Sequence, residues 1–536
     1  MKEKHFRIIF IILVCSLLLL ALYIYIFKQN EKIIYASRLK SNKIEKLISN
    51  NIRIGIIEFD NINPIISNNK NVQDISKLIF EPLITLTEDY KLEGVLAKEW
   101  SKISEKTYII KLNENILWHD GKKFDSSDVI FTINAINELK QNSIYYHNVK
   151  NISKVQEIDE YTIKIITDID IPYFEYNLIF PIVSSKYFDK ENLKLESKNR
   201  SPVGTGMFYI SDVNNKEILL KKNMKNKKSE DLRLETITLK LYTSLLDTID
   251  AYKSENIDIF TTSNKGIAEY LKYTKYNVTK YIGRNYNYMA LNCENQILSN
   301  LEVRQAINYA INKEKILKDV FNGKNKISNF PLDFGSFAYD ISNYIINYDA
   351  NKAKNILAEN EWKYSVEGWK KNNLKLELEI IVKQTQQDNI KVANNIKEQL
   401  SKIGIIINIK EVNEKEYNNY LQNKNYDLIL INETYEYSPS LEKYFNKNNL
   451  ANYNNEKINN MLNEIKSENE IKPTYSKINQ IYNEEIPYIS LYFETNTIIY
   501  SQNIKGKIMP NSYNLFYEIE QWHREFDIFE NALKTS

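Results

Sequence analysis

Histidine, cysteine and glycine-rich segments are where this chain could carry chemistry, and they are sparse. The 536 residues include four histidines and two cysteines, too few for a disulfide framework or a four-cysteine zinc site. The sequence contains no phosphate-binding loop, no Gly-x-Ser-x-Gly nucleophile elbow and no His-Glu-x-x-His zinc motif. The Gly-Thr-Gly segment at 204–206 is too short for a dinucleotide-binding fingerprint. We therefore predict no catalytic residue, no metal and no cofactor, and a protein that is not an enzyme.

His119 is the histidine whose surroundings come nearest to a site. It lies in the segment Trp118-His119-Asp120-Gly121. A catalytic or metal-binding role would need partners, and His147 is the only other histidine in this stretch. Asp120-Gly121 is a tight-turn signal, because glycine accepts a positive φ and aspartate caps its own turn. We therefore interpret His119 as a solvent-facing turn residue.

The overall composition excludes several classes of protein. Hydrophobic residues make up 43% of the chain and charged residues 26%, close to the averages for globular domains. These fractions argue against a mostly disordered chain, a collagen-like fibre and a membrane protein with many spans. The 71 basic and 69 acidic residues give a formal charge of +2, which is no basic excess for nucleic acid. Because acidic residues are plentiful, a hydrolase that uses a close pair of carboxylates stays open as an alternative.

Hydrophobic periodicity predicts alternating strands and helices after residue 50. A period of two, with β-branched residues, predicts strands over 52–57, 107–112, 161–165, 374–382, 405–411 and 426–431. A period of 3.6 predicts helices over 129–139, 302–319, 351–360 and 389–403. Ser126 or Ser127 can cap the first of these helices, and Gly404 ends the last. Strand, helix and strand in this order predict βαβ units on a sheet.

An apolar run over residues 8–27 precedes the rest of the chain. About 20 residues form a helix ~30 Å long, which matches the core of a bilayer. Basic residues within 1–7 precede the run, so the positive-inside rule places that segment in the cytoplasm. The run is longer than the core of a signal peptide, and no small-x-small cleavage site follows it. We predict a single transmembrane anchor (or an uncleaved signal), a tether over 28–50, and a body on the extracellular or periplasmic side.

Eight segments, read in order, are similar to those of a known family. The longest is 118–132, with the sequence Trp-His-Asp-Gly-Lys-Lys-Phe-Asp-Ser-Ser-Asp-Val-Ile-Phe-Thr. The others are 80–83, 96–100, 202–206, 253–258, 303–313, 349–357 and 399–405. Together they resemble family 5 of the extracellular solute-binding proteins of ABC importers, which includes oligopeptide-, dipeptide- and nickel-binding proteins. The resemblance extends from about residue 52 to about residue 500.

The resemblance implies an α/β protein with two lobes, of the type II periplasmic-binding-protein-like fold, whose lobes close around a ligand. Lobe 1 would span 51–285 and include an extra subdomain at about 81–184. Lobe 2 would span 286–494, and residues 495–536 would return to lobe 1. The same resemblance implies a buried ion pair for Arg304.

The resemblance also implies where a ligand would bind. In peptide-binding members an acid follows a buried strand of the second lobe and pairs with the α-ammonium group of the peptide. Glu436 stands at the position of that acid and Tyr437 at that of the tyrosine after it, whereas Glu433 replaces the usual tryptophan. Tyr145 and Tyr146 lie where an aromatic residue of the first lobe often lines the cleft. A carboxylate beside aromatic faces suits an ammonium group, through ion pairing and cation–π attraction.

The function implied by this resemblance is that of the extracellular substrate-binding component of an ABC importer. Such a component binds short peptides, acts as a monomer and delivers its ligand to the permease subunits. A nickel-binding or nickel-chelate-binding protein of the same fold is one alternative. A peptide-pheromone sensor without transport is another, and the hydrolase with an acid pair is a third from a different class.

Overall fold

The computed structural model describes residues 46–57, 59–189, 193–264, 266–340, 346–465 and 467–527. The predicted cytoplasmic segment (1–7) and anchor (8–27) lie outside these residues, as does most of the predicted tether. Within the described ranges, no helix combines the length and the apolar character that crossing a bilayer requires. The chain forms two compact units, and the larger is Asn51–Trp522. The smaller contains the strands Lys46–Ser49 and His523–Asp527, which pair antiparallel.

The larger unit is built on one mixed sheet. Counted over the residues that the structure describes, this sheet has eleven strands. Ten of them follow one another from edge to edge, and the eleventh, Lys326–Ile327, pairs with Tyr488–Tyr500. In spatial order the ten are Ile406–Val412, Glu377–Lys383, Leu428–Thr434, Asn277–Leu291, Tyr488–Tyr500, Ile259–Thr262, Asn51–Ile57, Thr236–Tyr242, Glu217–Lys222 and Phe208–Val213.

Two long strands in the middle of this sheet, Asn277–Leu291 and Tyr488–Tyr500, pair with each other antiparallel. The first also pairs with Leu428–Thr434, and the second with Ile259–Thr262. We call these two strands the connecting strands, because the elements on their two sides pack around different apolar cores.

The first half of the unit comprises residues 51–276 and 501–522. Its helices and 3₁₀ turns are Lys70–Ile79, Ser126–Leu139, Lys140–Asn142, Tyr146–Val149, Phe174–Leu178, Glu196–Arg200, Lys227–Asp231, Leu245–Lys253, Ile267–Tyr270 and Ile519–Gln521. Its strands outside the large sheet are Ile84–Leu86, Leu92–Gly94, Ala97–Ser104, Thr107–Leu112, Ile152–Asp159, Thr162–Thr167 and Ile504–Lys505. Ile54, Leu78 and Trp118 are fully or almost fully buried in its main core.

The second half comprises residues 292–487. Its helices are Leu301–Ala310, Lys313–Phe321, Ala350–Glu359, Gln387–Ser401, Glu414–Asn423, Glu442–Phe445, Glu456–Asn463 and Glu468–Glu485. A small antiparallel sheet is formed by Lys363–Ser365, Gly368–Lys371 and Leu374–Lys375. One of its cores is rich in tyrosine, and buried hydroxyl groups need polar partners there. The Ser490 side chain hydrogen-bonds the hydroxyls of both Tyr286 and Tyr482.

The predicted βαβ arrangement in the second half is confirmed. Strand Glu377–Lys383 runs parallel to Ile406–Val412, and helix Gln387–Ser401 lies between them in the chain. Gly404 has a φ of +85°, the left-handed conformation that glycine adopts at the end of a helix.

Two helix predictions need correction. The helix predicted over 302–319 is in fact two helices, Leu301–Ala310 and Lys313–Phe321. The second begins separately because the Asn312 side chain accepts a hydrogen bond of 2.8 Å from the nitrogen of Lys315. The helix predicted over 129–139 begins earlier, at Ser126, and its cap is neither of the serines proposed for that role.

The cap of helix Ser126–Leu139 is Asp125, which forms a capping box with Asp128. Asp128 is fully buried and has several other partners. It accepts hydrogen bonds from Trp118 Nε1 and from Lys186 Nζ, both at 3.0 Å. The segment that carries the longest family resemblance is therefore held together by its own tryptophan and aspartate, which gives these residues a structural role.

Arg304 is buried as predicted, but the ion pair predicted for it is wrong. Its guanidinium donates to the main-chain oxygens of Leu298 at 2.8 Å, Ser299 at 3.3 Å and Glu485 at 2.8 Å. Carbonyl oxygens at the ends of two segments thus satisfy this side chain, and no carboxylate of the described residues pairs with it.

His119 is not a solvent-facing turn residue, although Gly121 beside it has the expected positive φ of +88°. Its side chain is half-buried. Nδ1 accepts a hydrogen bond of 3.1 Å from the nitrogen of Gly204, so Nε2 carries the proton and donates to the oxygen of Gly206 at 3.1 Å. Burial lowers the pKa of His119 to about 4. The neutral imidazole therefore links the turn at His119 to the loop at Gly204 and Gly206 by two hydrogen bonds.

Candidate functional site

The helix Lys70–Ile79 has an apolar face and a polar face. Its buried apolar residues are Val72, Ile75, Leu78 and Ile79. Lys70, Gln73, Asp74 and Lys77 are spaced by three and four residues, so they share the opposite face. This helix therefore brings four polar side chains together from one short stretch of sequence.

The cations on this polar face differ in their partners. Lys70 forms an ion pair with Asp74, one turn further along the helix. The Nζ atom of Lys77 lies 3.6 Å from the centroid of the Tyr513 ring. No carboxylate in the described part of the chain lies within ion-pair distance of Lys77. Lys77 is thus a half-buried cation that an aromatic face holds in place.

Tyr145 and Tyr146, both predicted to line a cleft, make different contacts. The hydroxyl of Tyr145 donates a hydrogen bond to the side chain of Gln73. Burial raises the pKa of Tyr145, and the nearby Tyr437 and Asp74 raise it further. Tyr146 packs against the core of the first half. The structure therefore brings Tyr145 close to the polar helix and to Tyr437 of the second half.

Arg284 lies in an irregularity of the connecting strand Asn277–Leu291, where the pairing with the other connecting strand shifts register. Its main-chain oxygen accepts a hydrogen bond of 2.7 Å from the nitrogen of Tyr435. Its guanidinium carbon lies 3.3 Å from the centroid of the Tyr437 ring. Irregularities of this kind re-aim a side chain, and here the guanidinium covers the ring of Tyr437.

Glu433 is one of three predicted ligand residues that lie at or after the end of strand Leu428–Thr434. Its carboxylate accepts a hydrogen bond of 2.7 Å from Lys443 Nζ and one of 2.9 Å from the Tyr444 hydroxyl. The partners of Glu433 therefore come from the second half itself.

Glu436 and Tyr437, the other two, reach toward the first half. Glu436 is exposed. Burial lowers the pKa of His147 in the first half, and the carboxylate of Glu436 partly offsets this effect. The Tyr437 ring makes edge contacts with Tyr90 and Tyr513, at centroid distances of 5.8 and 5.2 Å. These contacts make Tyr437 a central point of the junction between the two halves.

We define the junction cluster as Lys70, Asp74, Lys77, Tyr145, Arg284, Tyr437 and Tyr513. Burial and the charge of Lys70 lower the pKa of Lys77 to about 8. Burial also acts to lower the pKa of Lys70, but Asp74 and Tyr437 raise it above its usual value. The cluster combines charges of both signs with aromatic faces, an arrangement suited to binding a charged small molecule. Over the described ranges, no group of three or more His, Cys, Asp or Glu residues could hold a metal.

A cavity of about 570 Å³ adjoins the cluster, and Lys77 forms part of its wall. Its acidic lining residues are Glu81, Glu93, Asp231, Glu518 and Glu520. Lys228 and Arg233 are its other basic lining residues. Among the described residues, those that line the cavity all belong to the first half. The cavity therefore lies beside the junction between the halves, and Lys77 belongs both to its wall and to the junction cluster.

Comparison with known proteins assigns the chain to a family. Residues 91–455 match the family model described as bacterial extracellular solute-binding proteins, family 5, middle region. The chain belongs to this family. The resemblance read from the sequence is thereby confirmed, and the curated relatives of this solute-binding protein are substrate-binding proteins.

The relatives and solved structures agree with this assignment. The oligopeptide-binding protein AppA of Bacillus subtilis is 22% identical over 480 residues, which cover 84% of this chain and 87% of AppA. The structure of the unliganded open form of MppA, a periplasmic murein tripeptide-binding protein, has a TM-score of 0.77 and 16% sequence identity to this chain. The match covers 90% of this chain and 99% of the MppA chain. The structure of NikZ of Campylobacter jejuni, in complex with Ni(L-His), has a TM-score of 0.61 and 23% sequence identity to this chain. The match covers 89% of this chain and 99% of the NikZ chain. These structural neighbours are two-lobed and mixed α/β, which confirms that part of the predicted fold class; the extra subdomain and the transmembrane helix stay predictions.

Sequence reasoning missed the polar helix and Arg284. The signal for the helix was present, since Lys70, Gln73, Asp74 and Lys77 follow helical spacing against an apolar face. The signal for Arg284 was absent, because its position depends on an irregular pairing of two strands that lie far apart in sequence.

Proposed function

We propose that this solute-binding protein captures short peptides between its two halves and delivers them to the permease of an ABC importer. The junction cluster is the observation that supports this function most directly. It gathers charged and aromatic side chains from both sides of the connecting strands around Tyr437. A site built from two bodies can form and dissolve by a hinge motion. Such a site encloses a ligand and releases it chemically unchanged.

In this proposal Glu436 holds the α-ammonium group of the peptide, and Tyr437 and Tyr145 supply aromatic faces. Cation–π attraction contributes ~1–2 kcal/mol once water is excluded. Both hydrogen bonds of Glu433 end on one carboxylate oxygen, Oε1, so its other oxygen can contact the ligand. The peptide main chain pairs with strand edges, and hydrated pockets accept its side chains.

The proposal includes a place for the protein at the membrane. Residues 8–27 anchor it as a single-pass protein, with the body on the extracellular or periplasmic side, where a monomer can meet a permease. Mass spectrometry of the full-length protein from membranes checks the anchor. A mature N-terminus near residue 30 would contradict it.

Native mass spectrometry of the full-length protein in detergent tests the ligand class. We expect added masses of short peptides and, in isothermal titration calorimetry, saturable heat with a mixture of tri- to pentapeptides. Nickel chloride and a nickel–histidine chelate serve as the comparison. Heat with either nickel compound and none with peptides would refute the peptide function. Cleavage of the peptides would refute a pure binding role.

Gene neighbourhood separates import from sensing. Adjacent genes for a permease and an ATPase support delivery to a transporter. If no such genes accompany this chain in its genome, a peptide-pheromone sensor becomes the better account of the same site.

A further inference from the structure

Two cations of the junction cluster have no acceptor within the described part of the chain. Lys77 Nζ and the Arg284 guanidinium form no hydrogen bond or ion pair with the residues that the structure describes. Each lies against a tyrosine ring, and both side chains are half-buried. An ammonium group has three N–H donors and a guanidinium five. These donors are therefore available to the acceptor groups of a ligand.

Among the residues with described positions, the acids near these cations do not pair with them. Asp74 is paired with Lys70. Asp333 is 3% exposed, and burial raises its pKa although the charge of Arg284 acts against that shift. Among the described residues, no ion pair joins Asp333 to Arg284. Glu436 is exposed at the edge of the junction. Lys77 and Arg284 can therefore both pair with anionic groups of a ligand.

We infer that the ligand is a short acidic peptide, with one carboxylate for Lys77 and another for Arg284. This inference rests on the proposed function and narrows its ligand class. A planar guanidinium can bind a carboxylate through two parallel hydrogen bonds, whereas an ammonium group acts as a point charge. The tyrosine rings behind the two cations hold them in place for the incoming ligand.

The geometry limits how far apart the two carboxylates can be. The distances are 3.6 Å from Lys77 Nζ to the Tyr513 centroid, 5.2 Å between the Tyr513 and Tyr437 centroids, and 3.3 Å from the latter to the Arg284 guanidinium. The two cations therefore lie at most about 12 Å apart. An extended peptide advances ~3.3–3.6 Å per residue. The C-terminal carboxylate and one acidic side chain of a di- to tetrapeptide can span this distance.

A peptide library tests the inference with the full-length protein. The library contains peptides of two to five residues with free termini, in which glutamate and its neutral isostere glutamine are equally frequent. Retained peptides are identified by native mass spectrometry and sequencing. We expect at least tenfold enrichment of glutamate over glutamine. Equal retention would overturn the inference and keep the proposed function, whereas retention of no peptide would overturn both.

Substitutions at Lys77 and Arg284 test whether these two cations cause the preference for glutamate over glutamine. Lys77→Met and Arg284→Gln should each reduce the enrichment at least fivefold, and Lys77→Arg should keep it. Lys228→Met is the matched control, because it removes one positive charge from the wall of the same cavity but lies outside the junction cluster. Equal losses in K228M and K77M, or an unchanged enrichment in K77M, would overturn the assignment. Circular dichroism checks that each variant is folded.

Discussion

The hydroxyl of Tyr437 donates a hydrogen bond of 2.7 Å to the main-chain oxygen of Ser512, and this bond joins the second half of the protein to the first. A main-chain bond of 2.7 Å from the nitrogen of Phe337 to the oxygen of Asp89 adds a second link. Opening of the halves by a hinge motion would have to break both. The structure therefore presents the two halves in contact, with the charged groups of the junction cluster between them.

Removal of the Tyr437 hydroxyl should shift the protein toward an open form. Tyr437→Phe keeps the ring under Arg284 but loses a bond worth about 1 kcal/mol. Spin labels carried by noncanonical residues at the exposed positions Met224 and Val366 report the distance between the halves. We expect a larger fraction of long distances in this variant.

The matched control for this experiment is Tyr435→Phe. The hydroxyl of Tyr435 donates to the oxygen of Pro331 within the second half, so its loss should leave the distance distribution unchanged. An identical response of the two variants would mean that the Tyr437 bond does not control opening.

Charge reversal at Glu436 should weaken the binding of a peptide with a free amino terminus. Glu436→Lys replaces the proposed partner of the α-ammonium group by a like charge, and we expect at least tenfold lower affinity in calorimetry. The N-acetylated form of the same peptide has no ammonium group, so wild type and variant should bind it alike. Unchanged affinity for the free peptide would remove Glu436 from the site.

The affinity for an acidic peptide should fall as the pH rises above 8. Burial lowers the pKa of Lys77 to about 8, so the unliganded protein carries the ammonium charge below that pH and loses it above. A bound carboxylate needs the charged form, and binding is therefore coupled to protonation. For N-acetyl-alanyl-glutamyl-alanine, whose blocked amino terminus does not titrate in this range, we expect at least fivefold weaker binding at pH 9.5 than at pH 7. Lys77→Arg stays charged over this range and should remove the decrease; parallel pH profiles of the two proteins would contradict the prediction.

His119 should make the fold more stable at neutral pH than in mild acid. Its pKa falls from 6.5 to about 4 because the buried imidazole must stay neutral. As the pH falls, the unfolded chain takes up the proton first, so the stabilisation is complete above about 6.5 and is lost as the pH falls through about 4. The loss should be about 2 kcal/mol of the free energy of unfolding for a partly exposed group.

Urea unfolding of wild type and His119→Phe checks this pH dependence. The variant lacks both bonds to the main chain of Gly204 and Gly206. Its deficit relative to wild type should therefore be large at pH 7 and small at pH 4. A deficit that does not change with pH would show that protonation of His119 is not linked to folding.

Features that depend on near neighbours in the chain could be predicted from the sequence. Helix Gln387–Ser401, its glycine end and the parallel strands around it follow from periodicity and turn chemistry. The end of one helix and the start of the next at Asn312 were missed. A capping residue within an apolar pattern can start a new helix or lie inside a continuous one, and the pattern alone does not distinguish the two.

The sequence by itself thus determined the family, the α/β fold class and a loop with the ligand candidates Glu436 and Tyr437, because ordered motifs and short-range patterns survive without knowledge of distant contacts. Tertiary structure decided which side chains lie together in the junction cluster. Lys77 contacts Tyr513 and Arg284 contacts Tyr437, although each pair is far apart in the sequence. Glu433 accepts a hydrogen bond from Lys443 of its own half. Contacts of this kind arise from strand pairing and packing between distant segments, and no local pattern in the sequence encodes them.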